Sequence, residues 1–368
     1  MKILKLETRF FRNLVSCVIE PCSRINVILG KNAQGKTNLL EAIYVVGHNR
    51  SFRGARDKDL VTHGRREGYR LKVTYALDER IIIFEQRYSE SKNKVLRLNN
   101  KPAASKTQHR LKSVVFTPED LYLIKGEPER RRNFLDGILC QLRPEYERTL
   151  ESYKKILGRR NAYLKQSRSF GQGMRVLQGM FIEAAVPLIC ARLNLAAILE
   201  KEVSKLYQLL SGEAEDVCMR YVLSFPLETG KLTPDLLAAS LDKALEVSKD
   251  KELKQGITLV GPHRDDFNLY LRGHNARTYA SQGQQRNLAV SLKLGELATY
   301  KNIKGYFPVL LLDEVLAELD KNRRTLLLEY LQQAEFQTFI SSVEREDVVA
   351  VAGKVFAVED GRITEEVG

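Results

Sequence analysis

The first part of the chain alternates short apolar runs with polar turns, a pattern typical of β-strands. Three such runs open it, at Ile3–Leu6, Leu14–Ile19 and Ile25–Leu29. The third run leads through a glycine-rich turn into an apolar helix, predicted over Asn38–Val46. Residues 69–100 then alternate apolar and polar positions, which predicts antiparallel strands beside this unit.

A helical period replaces this alternation in the middle of the chain. Apolar side chains recur at helical spacing between Tyr146 and Leu164, and again between Met180 and Ile198. These two segments predict an antiparallel helix pair that turns at Gly171-Gln172-Gly173. Thr233 is predicted to cap a further helix, with Pro234 at its first position.

Strand patterns return near Ile257, and the chain closes with alternating strands and helices. A helix is predicted to begin near Gly283, before a buried strand over Val309–Leu312. Closing strands are predicted over Thr338–Ser341 and Val355–Val358. The order predicts an α/β fold in which a mixed sheet with flanking helices carries an inserted, mostly helical second lobe.

The predicted boundaries follow from this change of pattern. Residues 1–118 and 257–368 are assigned to the first lobe, which includes the strands of 69–100 and the later motifs. Residues 119–256 are assigned to the mostly helical second lobe.

The composition indicates a basic protein and argues against secreted and membrane-spanning proteins. Of the 368 residues, 59 are basic and 46 acidic, a net charge of +13 that favours polyanionic partners such as nucleic acid. The five cysteines form no CxxC pair, as expected for reduced thiols of the cytoplasm. The start lacks the pattern of a signal peptide, and the apolar region over Val186–Leu199 is too short to span a bilayer. A soluble cytoplasmic protein is expected.

A phosphate-binding loop is the first motif that carries chemistry. Residues 30–37 match GxxxxGK[ST] between a predicted strand and a predicted helix, the context in which this motif is credible. Lys36 is expected to reach the β- and γ-phosphates of ATP, and Thr37 to offer its hydroxyl to Mg²⁺. The alternative is a chance match on a turn rich in glycine and lysine. The predicted ATP-binding residues are Gly30, Lys31, Asn32, Ala33, Gln34, Gly35, Lys36, Thr37 and Asn38.

Two acidic residues follow the buried strand over Val309–Leu312. Carboxylates at the C-terminal end of a parallel strand lie where such folds bind ligands. Asp313 is therefore expected to hold Mg²⁺, and Glu314 to act as the catalytic general base on water. An apolar strand that runs into a solvated acidic turn is the alternative.

A serine motif precedes this strand and suggests a site shared between two molecules. Ser281, Gln282, Gly283 and Gln284 open a helix whose N-terminus can bind a γ-phosphate, although an ordinary serine cap is the alternative. Phosphate loop, helical insertion, serine motif, acidic strand and an acidic turn at Asp320 resemble, in this order, the ATP-binding-cassette (ABC) ATPases. In that arrangement the serine motif completes the site of a second protomer, and Asp320 contacts the partner. The resemblance implies an ATP-dependent homodimer.

Several longer strings resemble the RecF family, within the SMC-like branch of these ATPases. They cover nearly the whole chain in the expected order, and they are Ser51–Arg53, Phe116–Leu121, Gly126–Asp136, Gly261–Asp266 and Ser281–Arg286. The resemblance implies an ABC-type ATPase head that binds gapped DNA, where duplex meets single strand, in recombinational repair. It also implies that RecR and RecO act with the protein to help RecA load, with roles in replication restart and the SOS response.

Some positions depart from the cassette pattern. Phe339-Ile340-Ser341-Ser342 lacks the switch histidine of transporter-type cassettes, so slow ATP hydrolysis is expected. As an ATP-dependent DNA-binding protein, which the resemblance implies, the chain is further expected to be a DNA-dependent ATPase. Glu119 and Asp120 stand where a lobe-connecting glutamine is expected. Asp265 and Asp266 are interpreted as structural acids that pair with Arg264 or Arg272, and His263 is assigned no metal.

Six arginines are candidate contacts to DNA phosphates, with a solvated charged face as the alternative for each. They are Arg50, Arg53, Arg56, Arg130, Arg131 and Arg132.

Three other classes of protein share parts of this pattern. The charge of +13 and the missing histidine disfavour a transporter's nucleotide-binding subunit. No carboxylate-rich segment follows the cassette, so no nuclease activity is expected. The gap between Thr37 and Ser281 is too short for the long coiled arms of a chromosome-organising protein.

Overall fold

The computed structural model describes residues 1–65, 67–91, 93–104, 107, 109–166, 170–212 and 215–366. Within them the chain divides into two compact units. Unit 1 comprises Met1–Leu121 and Lys293–Gly368, and unit 2 comprises Tyr122–Leu292.

An antiparallel sheet forms one layer of unit 1. Tyr69, Leu71, Val73 and Tyr75 are buried while the residues between them are partly exposed, which confirms the alternation predicted for residues 69–100. In the described part of the chain this sheet has six strands in the order β2-β1-β4-β5-β6-β7. They are β1 (Lys2–Phe11), β2 (Leu14–Ile19), β4 (Tyr69–Leu77), β5 (Arg80–Ser89), β6 (Asn93–Leu98) and β7 (Lys101–Pro102).

A second, mostly parallel sheet forms the other layer of unit 1. Its order among the described residues is β15-β14-β3-β13-β12-β8, and only β15 runs antiparallel to its neighbour. All five residues of the central strand are buried, as expected for a parallel strand covered on both faces. The strands are β3 (Ile25–Leu29), β8 (Ser113–Phe116), β12 (Val309–Asp313), β13 (Thr338–Ser342), β14 (Lys354–Glu359) and β15 (Arg362–Glu366).

Helix α1 (Lys36–His48) lies between these two sheets. It contacts strands of both, and Leu39, Leu40, Ile43 and Val46 have no exposed surface. A helix that is apolar on all sides in this way is stable only when it is buried on all sides. The remaining helices of unit 1 are α8 (Lys321–Gln333) and α9 (Glu346–Val349), together with the end of α7 (Gln282–Lys304).

Unit 2 is mostly helical and carries a small antiparallel sheet. Thr233 caps α5 by accepting a hydrogen bond from the Leu236 N–H, with Pro234 at the first position, as predicted. The described helices that lie wholly in this unit are α2 (Pro128–Leu142), α3 (Pro144–Gln166), α4 (Gln172–Ser211), α5 (Pro234–Gln255) and α6 (Ala276–Tyr279). The sheet order is β11-β10-β9, with β9 (Val217–Val222), β10 (Asp266–Leu271) and β11 (His274–Asn275).

The structure moves one predicted boundary. Residues 257–292 were assigned to the first lobe, but they lie in unit 2. The reason is that β10 pairs along its whole length with β9, so the strand pattern after Ile257 belongs to the small sheet. The serine motif at Ser281–Gln284 consequently lies in unit 2.

Helix α4 is longer than the apolar region predicted from the sequence. It spans 40 residues, and by length and composition it could cross a membrane, so the argument from shortness is wrong. Half of its most apolar window is buried inside the fold, where α4 packs on α3, α5 and β9.

A charged network lies inside unit 2 at the middle of α4. The guanidinium of Arg192 donates to both carboxylate oxygens of Asp136, at 2.8 and 2.9 Å, and to the Pro262 carbonyl at 2.6 Å. Both side chains are largely buried, so each supplies most of the compensation for the other's desolvation.

Replacing Arg192 by Met should destabilise the protein by about 3–5 kcal/mol, because the Asp136 carboxylate is left buried without its partner. Urea denaturation checks this, with Arg175→Met on the exposed side of the same helix as control. Adding Asp136→Leu should recover part of the loss. A single Arg192→Met variant as stable as the control would contradict the assignment.

Candidate functional site

The loop between β3 and α1 is shaped to receive an anion. Gly35 has φ +119°, and a Cβ there would lie 2.7 Å from the Asn13 side chain. A Cβ at Gly30 would lie 2.4 Å from the Val358 carbonyl oxygen, so neither glycine can be replaced without distortion. Helix α1 has no side-chain cap at its N-terminus. Its first N–H groups therefore point into the loop with the positive end of the helix dipole.

Lys36 holds the loop closed around its own ammonium group. The residue is 3% exposed, and Nζ donates to the carbonyl oxygens of Gly30 at 2.7 Å and Lys31 at 2.9 Å. The Glu314 carboxylate lies 3.0 Å from the same nitrogen. The ammonium is thus buried with three oxygen partners, and one of them is an acid whose side chain is partly exposed.

Thr37, Asp313 and Ser341 meet at the carboxyl edge of the parallel sheet. Asp313 Oδ1 accepts hydrogen bonds from Thr37 Oγ1 at 2.8 Å and from Ser341 Oγ at 2.9 Å. The register brings them together, since Asp313 is paired with Ser341 between β12 and β13. Burial raises the pKa of Asp313 above its ordinary value and the Glu314 charge adds to the shift, while the two hydroxyl donors oppose it.

Glu314 is held in an unusual backbone conformation directly after this strand. Its φ of 54° lies in the left-handed region, which a non-glycine residue adopts at a cost. The Glu314 N–H donates to Ser341 Oγ at 2.9 Å. The Ser341 hydroxyl therefore positions both acids, because it contacts the side chain of Asp313 and the backbone N–H of Glu314.

These groups are the right chemistry for Mg²⁺ bound to a phosphate. The hydroxyl of Thr37 and the carboxylate of Asp313 are hard oxygen donors already in contact, and Mg²⁺ prefers one or two such groups together with phosphate oxygens. The buried cation of Lys36 adds positive charge on the loop side. In the part of the chain that the structure describes, no group of three or more His, Cys, Asp or Glu side chains could hold a metal on its own. Thr37 and Asp313 therefore fit a Mg²⁺ ion that is also bound to a phosphate, and not a metal ion held by protein side chains alone.

Two side chains that sequence patterns did not single out support this site. The Asn13 amide donates to the Gln34 carbonyl at 2.8 Å and accepts from the Asn38 amide at 2.8 Å, which ties the loop to the turn between β1 and β2. Asn13 carries no signal in the sequence beyond that of a turn. Ser341 is the other. The sequence feature that could have identified it is its hydroxyl in the segment Phe339–Ser342, where transporter-type cassettes carry a histidine.

The two predicted dimer contacts both cap helices. Ser281 Oγ accepts from the Gln284 N–H at 3.2 Å, and Gln284 Oε1 accepts from the Ser281 N–H at 3.0 Å, a reciprocal capping box at the start of α7. Asp320 caps α8 by accepting from the Arg323 N–H at 3.1 Å. Ser281 is exposed and Asp320 has a largely exposed side chain, so both caps face solvent in the single chain.

The structure contradicts the predicted phosphate contact of Arg131. It is 2% exposed and forms a bidentate ion pair with Asp266 at 2.7 and 2.8 Å, while its third nitrogen donates to backbone carbonyls. Arg132 is half-buried and donates to the Asp265 carbonyl at 2.9 Å. Both arginines stabilise unit 2. The remaining predicted contacts are exposed, and they are Arg50, Arg53, Arg56 and Arg130.

The Gly261–Asp266 string also has structural roles, although its partners differ from those predicted. Asp266 pairs with Arg131, and Asp265 accepts from the Tyr221 hydroxyl and the Ser224 N–H, at 2.8 Å each. Among the described residues neither acid pairs with Arg264 or Arg272, because other donors already engage both carboxylates.

His263 is half-buried in unit 2, and the environment of its ring fixes the tautomer. Nε2 lies 3.1 Å from the Thr258 carbonyl, so Nε2 carries the proton and Nδ1 accepts from the Tyr153 hydroxyl at 2.6 Å. Burial lowers the pKa of His263 to about 4, so the ring is neutral near pH 7.

Asp120 stabilises a turn where a lobe-connecting glutamine was expected. Its carboxylate accepts from the Thr117 N–H at 2.9 Å and from the Thr117 hydroxyl at 3.3 Å, at the start of the 3₁₀ turn Pro118–Tyr122.

Comparisons with known proteins agree with this geometry. A family model described as the RecF/RecN/SMC N terminal domain matches residues 2–364. The curated protein "DNA replication and repair protein RecF" of Bacillus subtilis (strain 168) is 36% identical over 383 residues, covering 99% of this chain and 100% of the relative. The same name belongs to a Lactobacillus delbrueckii subsp. bulgaricus relative, 36% identical, covering 100% of this chain and 98% of the relative.

Solved structures give the same result at the level of the fold. One described as the recombination mediator protein RecF-ATPrS in the RecFOR pathway has TM-score 0.90 at 32% identity, covering 99% of this chain and 98% of its own. A second structure, described as RecF-ATP in the RecFOR pathway, has TM-score 0.87 at 32% identity and covers 100% of this chain and 98% of its own. The Smc head domain of Pyrococcus furiosus has TM-score 0.56 at 16% identity and covers 99% of this chain and 96% of its own. At this identity the likeness is one of fold alone. The predicted head fold, a mixed sheet with helices and a helical lobe, is confirmed.

Asp313→Asn should raise the free energy of unfolding near neutral pH in the absence of ligand. The folded-state pKa of Asp313 is raised, so its ionisation at neutral pH costs stability, and asparagine removes that cost while keeping the oxygen that Thr37 and Ser341 bond. The advantage should shrink as pH falls toward the unfolded pKa of about 3.9 and disappear below it, where the carboxyl is neutral in both states.

Urea denaturation at neutral and acidic pH measures this difference. Glu79→Gln, an exposed acid in a turn of the same unit, is the control and should change little at either pH. If Asp313→Asn is less stable than the parent at neutral pH, then the burial assigned to this carboxyl does not govern its ionisation.

Proposed function

The chain belongs to the RecF branch of the RecF/RecN/SMC N-terminal domain family, and from that premise we propose that it is a DNA-dependent ATPase of recombinational repair. In this proposal ATP closes a homodimer on DNA, and slow hydrolysis opens it again. The observation that carries the proposal is the convergence of Lys36, Thr37, Asp313 and Glu314 at one end of the parallel sheet. These are the groups that hold and hydrolyse a triphosphate in P-loop ATPases.

The residues of the loop bind and orient the nucleotide. The backbone N–H groups of residues 30–37 and the N-terminus of α1 face the phosphates, and Thr37 and Asp313 offer the oxygens that hold Mg²⁺. Bound Mg²⁺ supplies charge neutralisation at the β- and γ-phosphates. Ser341 keeps Asp313 and the Glu314 backbone in register with the loop.

The ion pair between Lys36 and Glu314 links binding to catalysis. The Glu314 carboxylate lies 3.0 Å from the Lys36 ammonium and is one of its three oxygen partners. Phosphate oxygens compete for the same ammonium, because they carry more charge than a carboxylate. As Lys36 turns to the phosphates, Glu314 is released and its carboxylate becomes free to accept a proton from the attacking water.

Dimer formation follows from a contact that only the triphosphate provides. The N-terminus of α7, with Ser281 at its start, is proposed to bind the γ-phosphate held by a second molecule, and Asp320 to contact that molecule beside it. ATP then favours the dimer over the monomer by the free energy of this contact, and ADP does not. Exposure of both residues in the single chain supports this arrangement.

The relatives are named for DNA replication and repair and for the RecFOR pathway, and the resemblance of the motifs implies the finer setting. By analogy with the DNA replication and repair protein of Bacillus subtilis and the RecFOR recombination mediator, the chain is proposed to bind gapped DNA in the cytoplasm and to help RecA load with RecR and RecO. Roles in replication restart and the SOS response are part of the same proposal. The charge of +13 supports a polyanionic partner.

Glu314→Gln should trap a long-lived dimer in ATP and Mg²⁺, because removing a general base slows hydrolysis by roughly 10²–10⁴-fold while leaving triphosphate binding in place. Phosphate release and size-exclusion chromatography measure the two effects, with the exposed Glu335→Gln as control. Turnover at the parental rate would exclude Glu314 as the base.

Ser281→Arg should abolish the ATP-induced dimer but leave ATP binding by the monomer unchanged, since the serine acts on a partner's nucleotide. Light scattering in ATP, in ADP and without nucleotide, each with and without gapped DNA, tests dimer formation. A tenfold weaker dimer corresponds to about 1.4 kcal/mol. Thr233→Arg removes the equivalent cap of α5 and is the matched control. Loss of ATP binding by the monomeric Ser281→Arg variant would contradict action in trans.

A further inference from the structure

A groove of about 730 Å³ on unit 1 is lined by arginines that no motif identified. It lies over the exposed face of β1, β4, β5 and β6, beside the loop that precedes β4. Its basic side chains are Arg9, Arg65, Arg70, Arg87 and Arg97. We call this surface the arginine groove.

The sheet register places three of these arginines side by side. Arg9 on β1 is paired with Arg70 on β4, and Arg70 with Arg87 on β5. Directly opposed residues share one face, and neighbouring strands are about 4.8 Å apart. Like charges in directly opposed positions repel, so this row costs the folded protein stability.

The adjacent row of the same face shows the arrangement that a merely stable sheet would use. Glu7, Lys72, Glu85 and Arg97 are paired in sequence across β1, β4, β5 and β6, with charges that alternate in sign. The Lys72 ammonium lies 3.0 Å from the Glu7 carboxylate. Two residues away on β1, β4 and β5, the paired positions hold only positive charges, those of Arg9, Arg70 and Arg87.

Carboxylates compensate only part of this charge. Glu85 is nearly buried and pairs with both Arg70, at 2.5 Å, and Arg87, at 2.6 Å. Glu67 is the acid among the residues that line the groove. Five guanidinium groups thus face two carboxylates, and within the described ranges no carboxylate is paired with Arg9 or Arg65.

Aromatic contacts fix part of the row without neutralising it. The guanidinium carbons of Arg9 and Arg65 lie 5.0 and 4.9 Å from the centroid of the Phe10 ring. Such contacts hold an exposed cation in place at a gain of about 0.5–1 kcal/mol and leave its N–H groups for a ligand. Phe10 has φ 53°, a strained conformation for an aromatic residue.

From these contacts we infer that the arginine groove binds the sugar–phosphate backbone of DNA. Guanidinium groups match phosphate oxygens in pairs, and a concave row of several guanidinium groups fits a polymer of phosphates better than one small anion. Contacts to phosphates position a protein on DNA without selecting sequence. This inference rests on the proposed function as a DNA-binding ATPase.

The test compares two triple variants of the full chain with equal loss of charge. Arg9→Gln/Arg65→Gln/Arg87→Gln removes groove charge and leaves Arg70 to pair with Glu85. Arg80→Gln/Arg159→Gln/Arg362→Gln removes the same charge from exposed arginines outside the groove. Binding to a labelled duplex of random sequence is measured by anisotropy in ATP and Mg²⁺ over a series of salt concentrations.

The groove variant should bind more weakly, and its log–log dependence on salt should be shallower by roughly two to three, since each lost phosphate contact removes about 0.9. The outside variant should keep the parental slope. Thermal unfolding of the groove variant should not be lower than that of the outside variant, because repulsion in the row is relieved.

A variant that removes a negative charge from the groove, and not a positive one, completes the test. Glu67→Gln removes an acid from the groove and should strengthen DNA binding, whereas Glu79→Gln outside it should not. If the parent binds DNA but the groove variant binds with the parental affinity and slope, the groove assignment is overturned and the proposed function stands. If the parent itself fails to bind DNA in ATP, both are overturned.

Discussion

The candidate site depends on one buried carboxylate. Asp313 is 8% exposed and sits at the end of a fully buried strand, where its charge is tolerated because the hydroxyls of Thr37 and Ser341 both donate to it. Those three residues belong to the helix after the loop and to two neighbouring strands. The same hydroxyl of Ser341 accepts from the Glu314 N–H. Loss of this arrangement would disconnect the loop from the acidic strand.

Among the described residues, the ion pair of Lys36 with Glu314 is the one contact of this ammonium that is made to an acid. A buried ammonium needs partners at all times, and the loop carbonyls and Glu314 provide them. Because the Glu314 side chain is partly exposed, it is the partner that is easiest to displace. The strained backbone of Glu314 keeps its carboxylate within reach of the loop.

The arginines of the chain divide by environment. Arg131 and Arg192 are buried, and each pairs in bidentate fashion with one aspartate, so they stabilise unit 2. Arg9, Arg70 and Arg87 form an exposed row in which neighbouring charges repel. Sequence gives no distinction between these groups, since an Arg-Arg-Arg string and isolated arginines on strands carry the same charge. Only the tertiary contacts, burial with an aspartate partner in one group and side-by-side positions on a sheet face in the other, separate the two groups.

The sequence by itself determined the local elements and the loop chemistry of this protein. Strands such as Leu14–Ile19 and Ile25–Leu29 were predicted with their observed bounds, and Thr233 was identified as a cap, because the periods of burial and capping are local properties. Tertiary structure decided the rest: the place of residues 257–292, the burial of Arg131, the support from Asn13 and Ser341, and the arginine row. Each of these depends on strand pairing or on side-chain contacts between residues far apart in the chain, which no local pattern relates.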